Sequence, residues 1–162
     1  MANKMYQYIG VDPGLVHTGI VGLGFDESLH QVFTWSEVVD GLDAEAVARV
    51  TSGWPDAPVV IEAYRPRSHY QADARMGAGI NEMKRLIKRA TTLDNTGVKK
   101  IVTPDLMKLL DVWSFPTTTH HQDLRSAARI ALYAMLKDDN MNHLLSAFLY
   151  DEFIAGQPWF RI

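Results

Sequence analysis

The chain has 162 residues, of which 47% are hydrophobic and 22% are charged, and it carries a net charge of −3. This composition is typical of one ordinary globular domain, and no apolar run is long enough to cross a bilayer. The absence of cysteine excludes disulfides and thiolate metal sites and is typical of the reducing cytoplasm, so any bound metal would need oxygen or imidazole ligands.

The chain is predicted to begin with an antiparallel meander of three strands, over residues 6–12, 17–25 and 30–38. Asp12 ends the first strand, and Pro13 and Gly14 then force a turn. A lone carboxylate at the end of a buried strand is costly unless a charge partner or a metal ion compensates for it. The alternative is an Asx turn, in which Asp12 accepts a hydrogen bond from its own backbone.

The middle of the chain is predicted to alternate helices and strands. These are a helix over residues 43–50, a strand over 57–62, a long helix over 70–90 and a strand over 98–102. Gly77 and Gly79 weaken the long helix locally and permit the close approach of another helix or chain. Its apolar stripe has three- and four-residue spacing and consists of Met76, Ile80, Met83 and Ile87.

The last third of the chain is predicted to be helical. A short helix ends at Leu110, and a longer one over residues 120–136 is expected to take its N-cap from the threonines 117–119. A final helix is expected over about 141–155. The order of elements predicts one mixed α/β domain over residues 1–162, with its core at about 6–137 and helices covering a central sheet.

Two of the predicted strands end on carboxylates, Asp12 and Glu62. If these strands are neighbours about 4.8 Å apart, the two side chains can share one cation, which relieves their mutual repulsion. His120 and Asp123 lie on one face of a first helical turn, and small residues at 126–128 would let that turn approach the sheet. Each feature has an ordinary structural explanation, such as the helix dipole for Asp123, but their coincidence favours a metal site.

These motifs resemble those of the RuvC-like Holliday junction resolvases of the RNase H-like nuclease superfamily. The segment 12–19, Asp-Pro-Gly-x-x-x-Thr-Gly, resembles the first motif of the family, and 60–62 resembles the strand that ends on the second acid. His120-x-x-Asp123 is similar to the helix-borne acid pair. The resemblance covers residues 6–137, and the short C-terminal addition suggests a compact viral, bacteriophage-type member in a host cytoplasm.

The resemblance implies an RNase H-like fold with a five-stranded mixed sheet, three strands antiparallel and then two parallel, flanked by helices. It also implies an endonuclease that resolves four-way DNA junctions by paired phosphodiester hydrolysis. Two Mg²⁺ ions per site, for which Mn²⁺ would substitute, would activate water and stabilise the leaving oxygen. The catalytic and metal-binding residues implied are Asp12, Glu62, His120 and Asp123.

Positive charge is concentrated between residues 65 and 100, which carry a net charge of +6. Such a surface suits a phosphate backbone, although a solvated helix surface has the same composition. Because two opposite strands of a junction are cut, the resemblance implies a homodimer, formed through the long helix around Gly77 and Gly79. The implied DNA-binding side chains are Tyr64, Arg65, Arg67, Arg75, Lys84, Arg85, Lys88 and Arg89.

The chain departs from the family pattern beside the second acid. The family usually has an aromatic residue three positions beyond it, and here Arg65 occupies that position and Tyr64 precedes it. The third motif has alternatives as well: His121 replaces His120 if the helix is rotated, and a competing motif begins at Asn140 and ends at His143. Asn140 is a poor metal ligand, which favours the pair at 120 and 123.

Other functions are compatible with parts of the pattern. Asp-x-Gly followed by Thr-Gly also resembles the phosphate loop of the actin-like ATP-binding fold, but that fold predicts a second Asp-x-Gly loop, which this sequence lacks. Another RNase H-like nuclease, acting on flaps, branched DNA or RNA-containing substrates, stays an alternative, because a metal site alone does not determine the substrate.

Overall fold

The structure is a computed structural model that describes residues 5–26, 31–64, 73–115, 120–138 and 141–142. The described residues form the strands β1 Met5–Asp12, β2 His17–Asp26, β3 Gln31–Asp40, β4 Val59–Glu62 and β5 Ala90–Leu93. They also form the helices α1 Ala44–Ser52, α2 Ala74–Leu86, α3 Val98–Ile101, α4 Pro104–Leu109 and α5 His121–Lys137.

The strands form one sheet in the order β3-β2-β1-β4-β5. β1, β2 and β3 are antiparallel neighbours, whereas β4 runs parallel to both β1 and β5. The predicted fold class, a five-stranded mixed sheet with three antiparallel and then two parallel strands, is therefore confirmed. Because β1 and β4 are parallel, their last residues, Asp12 and Glu62, lie at the same edge of the sheet.

Helices cover both faces of this sheet. α5 packs on one face, where Leu124 and Ala127 join a buried cluster with Val21 and Leu23. α1 and α2 cover the other face, over a cluster that includes the buried β-strand residues Ile9, Val11, Ile20, Val59 and Ile61. The predicted stripe of the long helix is buried within this chain, at Met76, Ile80, Met83 and Ile87.

A glycine in β1 allows α5 to lie against the sheet. A Cβ atom at Gly10 would lie only 2.0 Å from the backbone oxygen of Ala127, so any side chain there would push the helix away. At the other end of α5, the Tyr8 hydroxyl donates a hydrogen bond to the carboxylate of Asp138. The helix is thus held close to β1 along its length, which positions its first turn at the carboxylate edge.

The predicted position of the fifth strand is wrong. Residues 98–102, predicted as a strand, form α3 and its C-cap, and Ala90–Leu93 pairs with β4 instead. The long helix therefore ends at Leu86, and Ile87 leaves helical geometry with φ −110° and ψ 87°. β-Branched threonines at 91 and 92 suit an edge strand. Gly97, at φ 77°, has a left-handed conformation and is the N-cap of α3, so the chain turns into a helix at residue 98 and does not continue as a strand.

The predicted start of the longer C-terminal helix also needs correction. His120 occupies the N-cap of α5, one residue before its first helical residue, and the threonines 117–119 lie outside the described residues. Of the final predicted helix, about 141–155, only residues 141 and 142 are described, so that expectation is not tested. None of the described helices is long and apolar enough to span a membrane.

Candidate active site

Asp12 and Glu62 adjoin at the edge of the sheet. Val11 pairs with Ile61 in the parallel ladder, and each carboxylate follows its strand by one residue. Burial raises the pKa of Asp12 to about 9, assisted by a hydrogen bond with Glu62 and by the charges of Glu62 and Asp123. Near neutral pH a proton therefore stays between two carboxyl groups, where a cation would otherwise balance their charge.

The turn after Asp12 is held rigidly by Thr18. This threonine is fully buried, and its Oγ1 donates a hydrogen bond to the backbone oxygen of Gly41 at 2.6 Å. The same Oγ1 accepts a hydrogen bond from the Gly14 N–H at 3.3 Å. A Cβ atom at Gly14 would lie 2.2 Å from the His17 backbone oxygen, so the turn requires glycine. The spacing of the first motif thus fixes the backbone that carries Asp12.

The first turn of α5 reaches the site because of Gly19. Gly19 pairs with Asp12 across β1 and β2, and a Cβ atom at Gly19 would lie 2.7 Å from the Asp123 backbone oxygen. The helix therefore packs directly on β2, and the charge of Asp123 acts on Asp12. His120 Nδ1 lies 3.9 Å from Asp123 Oδ2. Asp12 and Glu62 thus stand at the ends of two neighbouring strands, and the start of α5 brings Asp123 near Asp12 and His120 beside Asp123.

His17, which was not among the predicted site residues, lies in the same group. Its ring centroid is 4.1 Å from that of His120, with the ring planes at 54°. On its other side, His17 Nδ1 lies 3.5 Å from Asp40 Oδ1 at the end of β3. The sequence signal was a histidine directly before Thr18, but its role depends on where α5 packs, which no local pattern indicates.

Asn95 is a second residue that sequence reasoning missed. Its Nδ2 donates a hydrogen bond to Glu62 Oε1. It lines, together with Asp12, Glu62 and Tyr64, a cavity of about 170 Å³. Asn95 follows β5, so the misplaced fifth strand concealed that this residue reaches the same sheet edge as the two carboxylates.

Within the described ranges, no three acidic or histidine side chains are arranged to hold one metal ion as they stand. The donor types nevertheless suit a hard divalent cation, since this end of the sheet offers carboxylate oxygens and one imidazole. Burial first, and then the hydrogen bond with Glu62 and the charges of Glu62 and Asp123, raise the pKa of Asp12, and a bound cation would oppose this by stabilising the carboxylate.

Two of the predicted DNA contacts, Tyr64 and Arg75, lie around the start of α2. Tyr64 lines the cavity beside Asp12, and its hydroxyl accepts a hydrogen bond from the Asp73 N–H at 3.2 Å, which ties it to the start of α2. Arg75, in the first turn of α2, is exposed and pairs with Asp73 at 2.9 Å. Arg65 and Arg67 lie outside the described residues, as do the side chain of His121 and the two ends of the competing motif, Asn140 and His143.

The other predicted DNA contacts lie towards the N-terminal ends of β4 and β5, away from the carboxylates, because α2 ends shortly before β5 begins. Lys84 and Lys88 are exposed there, and Arg85 pairs with Glu82. Arg89 is engaged by its own chain, where it donates hydrogen bonds to the backbone oxygens of Thr51, Trp54 and Ala57.

No protein-family model and no curated protein matches the chain. Solved structures do match it. The structure of RuvC from Thermus thermophilus is 15% identical with a TM-score of 0.57, over 78% of this chain and 92% of that one. The fold of this chain is that of RuvC. T. thermophilus RuvC in complex with a Holliday junction substrate is 14% identical with a TM-score of 0.52, over 79% and 91% of the two chains. The yeast mitochondrial Holliday junction resolvase Ydc2 is 12% identical with a TM-score of 0.51, over 90% of this chain and 84% of that one.

Proposed function

We propose that the chain is a divalent-metal-dependent endonuclease that resolves four-way DNA junctions. The observation that carries this proposal is the meeting of Asp12, Glu62 and Asp123 at one edge of a sheet with the RuvC fold. Three acids from three separate elements, with a proton retained among them, form a costly arrangement that core packing does not require. T. thermophilus RuvC has been solved in complex with a Holliday junction substrate, and Ydc2 is a Holliday junction resolvase.

Asp12, Glu62, Asp123 and His120 would hold Mg²⁺, or Mn²⁺ in its place. Two bound ions would supply a hydroxide nucleophile and stabilise the leaving oxygen of the scissile phosphodiester. The protein contributes a rigid donor set: Thr18 fixes the turn that carries Asp12, and Gly19 lets Asp123 approach it. His17 packs against His120 and limits the movement of its ring.

A homodimer would bring two such sites to the two strands of one junction. α2 supports this part of the proposal, because the flank of α2 opposite its buried stripe is exposed at Ala74, Gly77 and Ala78. Nothing lies within 4 Å of a Cβ atom built at Gly77, so this flank is open, whereas Gly79 already packs on Leu42 of its own chain. The proposed interface is therefore centred on Gly77 and Ala78.

One cleavage assay separates junction resolution from the alternative RNase H-like activities. End-labelled four-way junction, flap, RNA–DNA hybrid and linear duplex would each be incubated with Mg²⁺ or Mn²⁺ and analysed on denaturing gels. We expect paired cuts in the junction and little cutting of linear duplex. Preference for the flap or the hybrid would assign the site to another RNase H-like nuclease, and no cutting of any substrate would contradict the nuclease proposal.

A further inference from the structure

A second cavity, of about 140 Å³, adjoins the cavity beside Asp12. The hydrogen-bonded pair Glu62 and Asn95 lines both cavities. Asp12 lines only the first, whereas Ser126 and Arg129 of α5 line only the second. A group bound in the second cavity would therefore be separated from one bound at Asp12 by the side chain of Glu62.

Arg129 is the distinctive side chain of this second cavity. Its Nε atom is buried and, within the part of the chain that the structure describes, has no hydrogen-bond partner. Burial lowers the pKa of Arg129, while the charge of Glu62 acts in the opposite direction. A buried donor without an acceptor is costly, so a ligand with acceptor oxygens would stabilise this arrangement.

The remaining polar groups of the cavity favour a small oxyanion. Lys99 contributes an ammonium group and Ser126 a hydroxyl. A guanidinium group can donate two parallel hydrogen bonds to a phosphate, which makes Arg129 well suited to this ligand. A volume of about 140 Å³ suits one phosphate group rather than a whole nucleotide, because pockets for complete small ligands usually measure about 300–1,000 Å³.

We propose that this cavity binds a phosphate of the DNA backbone, next to the phosphate that is cleaved at Asp12, through Arg129 and Lys99. The proposal rests on the proposed nuclease function, because it takes the cavity beside Asp12 as the cleavage site. Two phosphates of one strand would then be held on either side of Glu62. Such a contact positions the strand without reading its bases.

Binding of a four-way junction in EDTA, measured at several NaCl concentrations, tests the contact separately from cleavage. We expect Arg129→Gln to bind about tenfold more weakly and to lower the slope of log K against log[NaCl] by about 0.9, the value for one lost phosphate contact. Lys137→Gln, the matched control at the far end of α5, removes the same charge and should change neither quantity. Because Arg129 is partly buried, Lys99→Gln on the exposed side of the cavity should give the same direction of change without disturbing packing.

A junction with one neutral methylphosphonate, moved along the strand on both sides of the cleaved bond, identifies the phosphate concerned. One flanking position should weaken binding of the wild-type protein but not of Arg129→Gln. If inorganic phosphate raises the melting temperature of the wild type alone and no methylphosphonate position matters, the cavity binds a free anion and the proposal is wrong. Unchanged salt slopes in both variants would also overturn it, even if Asp12→Asn abolished cleavage. If Arg129→Gln weakens binding as expected but the wild-type protein cuts no DNA, only the nuclease proposal is contradicted.

Discussion

The imidazole ring of His17 lies against that of His120, with 4.1 Å between the ring centroids. Oδ1 of Asp40, whose side chain is exposed, lies 3.5 Å from Nδ1 of His17 and makes no hydrogen bond with it. β2, β3 and the start of α5 therefore meet at a pair of aromatic rings beside the carboxylates. Because His120 is the N-cap of α5, this packing places a ring from β2 against the start of the helix.

His17→Ala removes the ring that packs on His120, so the proposed metal ligand His120 becomes free to move. Because displacement of such a group by about 1 Å can cost up to about a hundredfold, we expect the turnover number for junction cleavage to fall by about tenfold to a hundredfold. His17→Phe retains a ring in the same place and should recover most of the activity. Single-turnover cleavage at saturating junction measures both variants. Equal loss in the Phe and Ala variants would mean that the imidazole nitrogens, and not the ring packing, matter.

Removal of any one carboxylate should abolish cleavage while leaving DNA binding intact. Asp12→Asn, Glu62→Gln and Asp123→Asn each remove a charge with little change of shape, so we expect turnover to fall by at least about a hundredfold. Junction affinity should be equal or higher, because repulsion between carboxylate and phosphate decreases. Asp105→Asn, at an exposed position of α4, is the matched control. Full activity in one of the three variants would remove that residue from the proposed site.

The pKa of Asp12 predicts how stability depends on pH in the absence of metal. The folded protein holds a proton on Asp12 up to about pH 9, whereas the usual pKa is 3.8, so the folded state binds the extra proton between these values. The free energy of unfolding should therefore fall as the pH rises from about 4 to about 9. Thermal melts in EDTA across this range measure it.

Asp12→Asn removes the titrating group and should flatten this dependence. The variant should consequently melt at a higher temperature than the wild type at pH 8 in EDTA. Asp56→Asn, at an exposed position before β4, should keep the wild-type dependence. Addition of Mg²⁺ at pH 8 should raise the melting temperature of the wild type and not that of Asp12→Asn, since a bound cation stabilises the folded state.

The strands nearest the site could be predicted from the sequence because their ends are marked chemically. An apolar run leads to Asp12, and Pro13 and Gly14 directly after it end the strand. An uninterrupted Val-Val-Ile run precedes Glu62. Such signals are local, and the parallel pairing of these two strands then brings the acids together. The i, i+3 spacing of His120 and Asp123 is equally local, so their common helical face could be read in advance.

The end of α2 could not be predicted in the same way. Ile87 continues the apolar spacing from Met83 and is buried, so the helical periodicity extends past the last helical residue. The following strand, Ala-Thr-Thr-Leu, is an edge strand in which only Ala90 is buried, so its sequence has no apolar alternation that would mark it as a strand. The roles of His17, Asn95 and Arg129 depend on which elements meet in space, and no spacing along the chain contains that information.

The proposed dimer makes a prediction about the open flank of α2. Ala78→Arg puts a long charged side chain in the middle of this exposed surface, so it should dissociate the dimer while leaving the monomer fold intact, since position 78 faces away from the core. Thr34→Arg, at an exposed position on β3, adds the same charge elsewhere and should leave the dimer unchanged. Sedimentation velocity at micromolar concentration distinguishes the two species.

The monomeric variant should also cut the two junction strands independently, so nicked junctions should accumulate, whereas the wild type should release linear products. A wild-type protein that sediments as a monomer and yet makes paired cuts would contradict the dimer and require another explanation for their coupling.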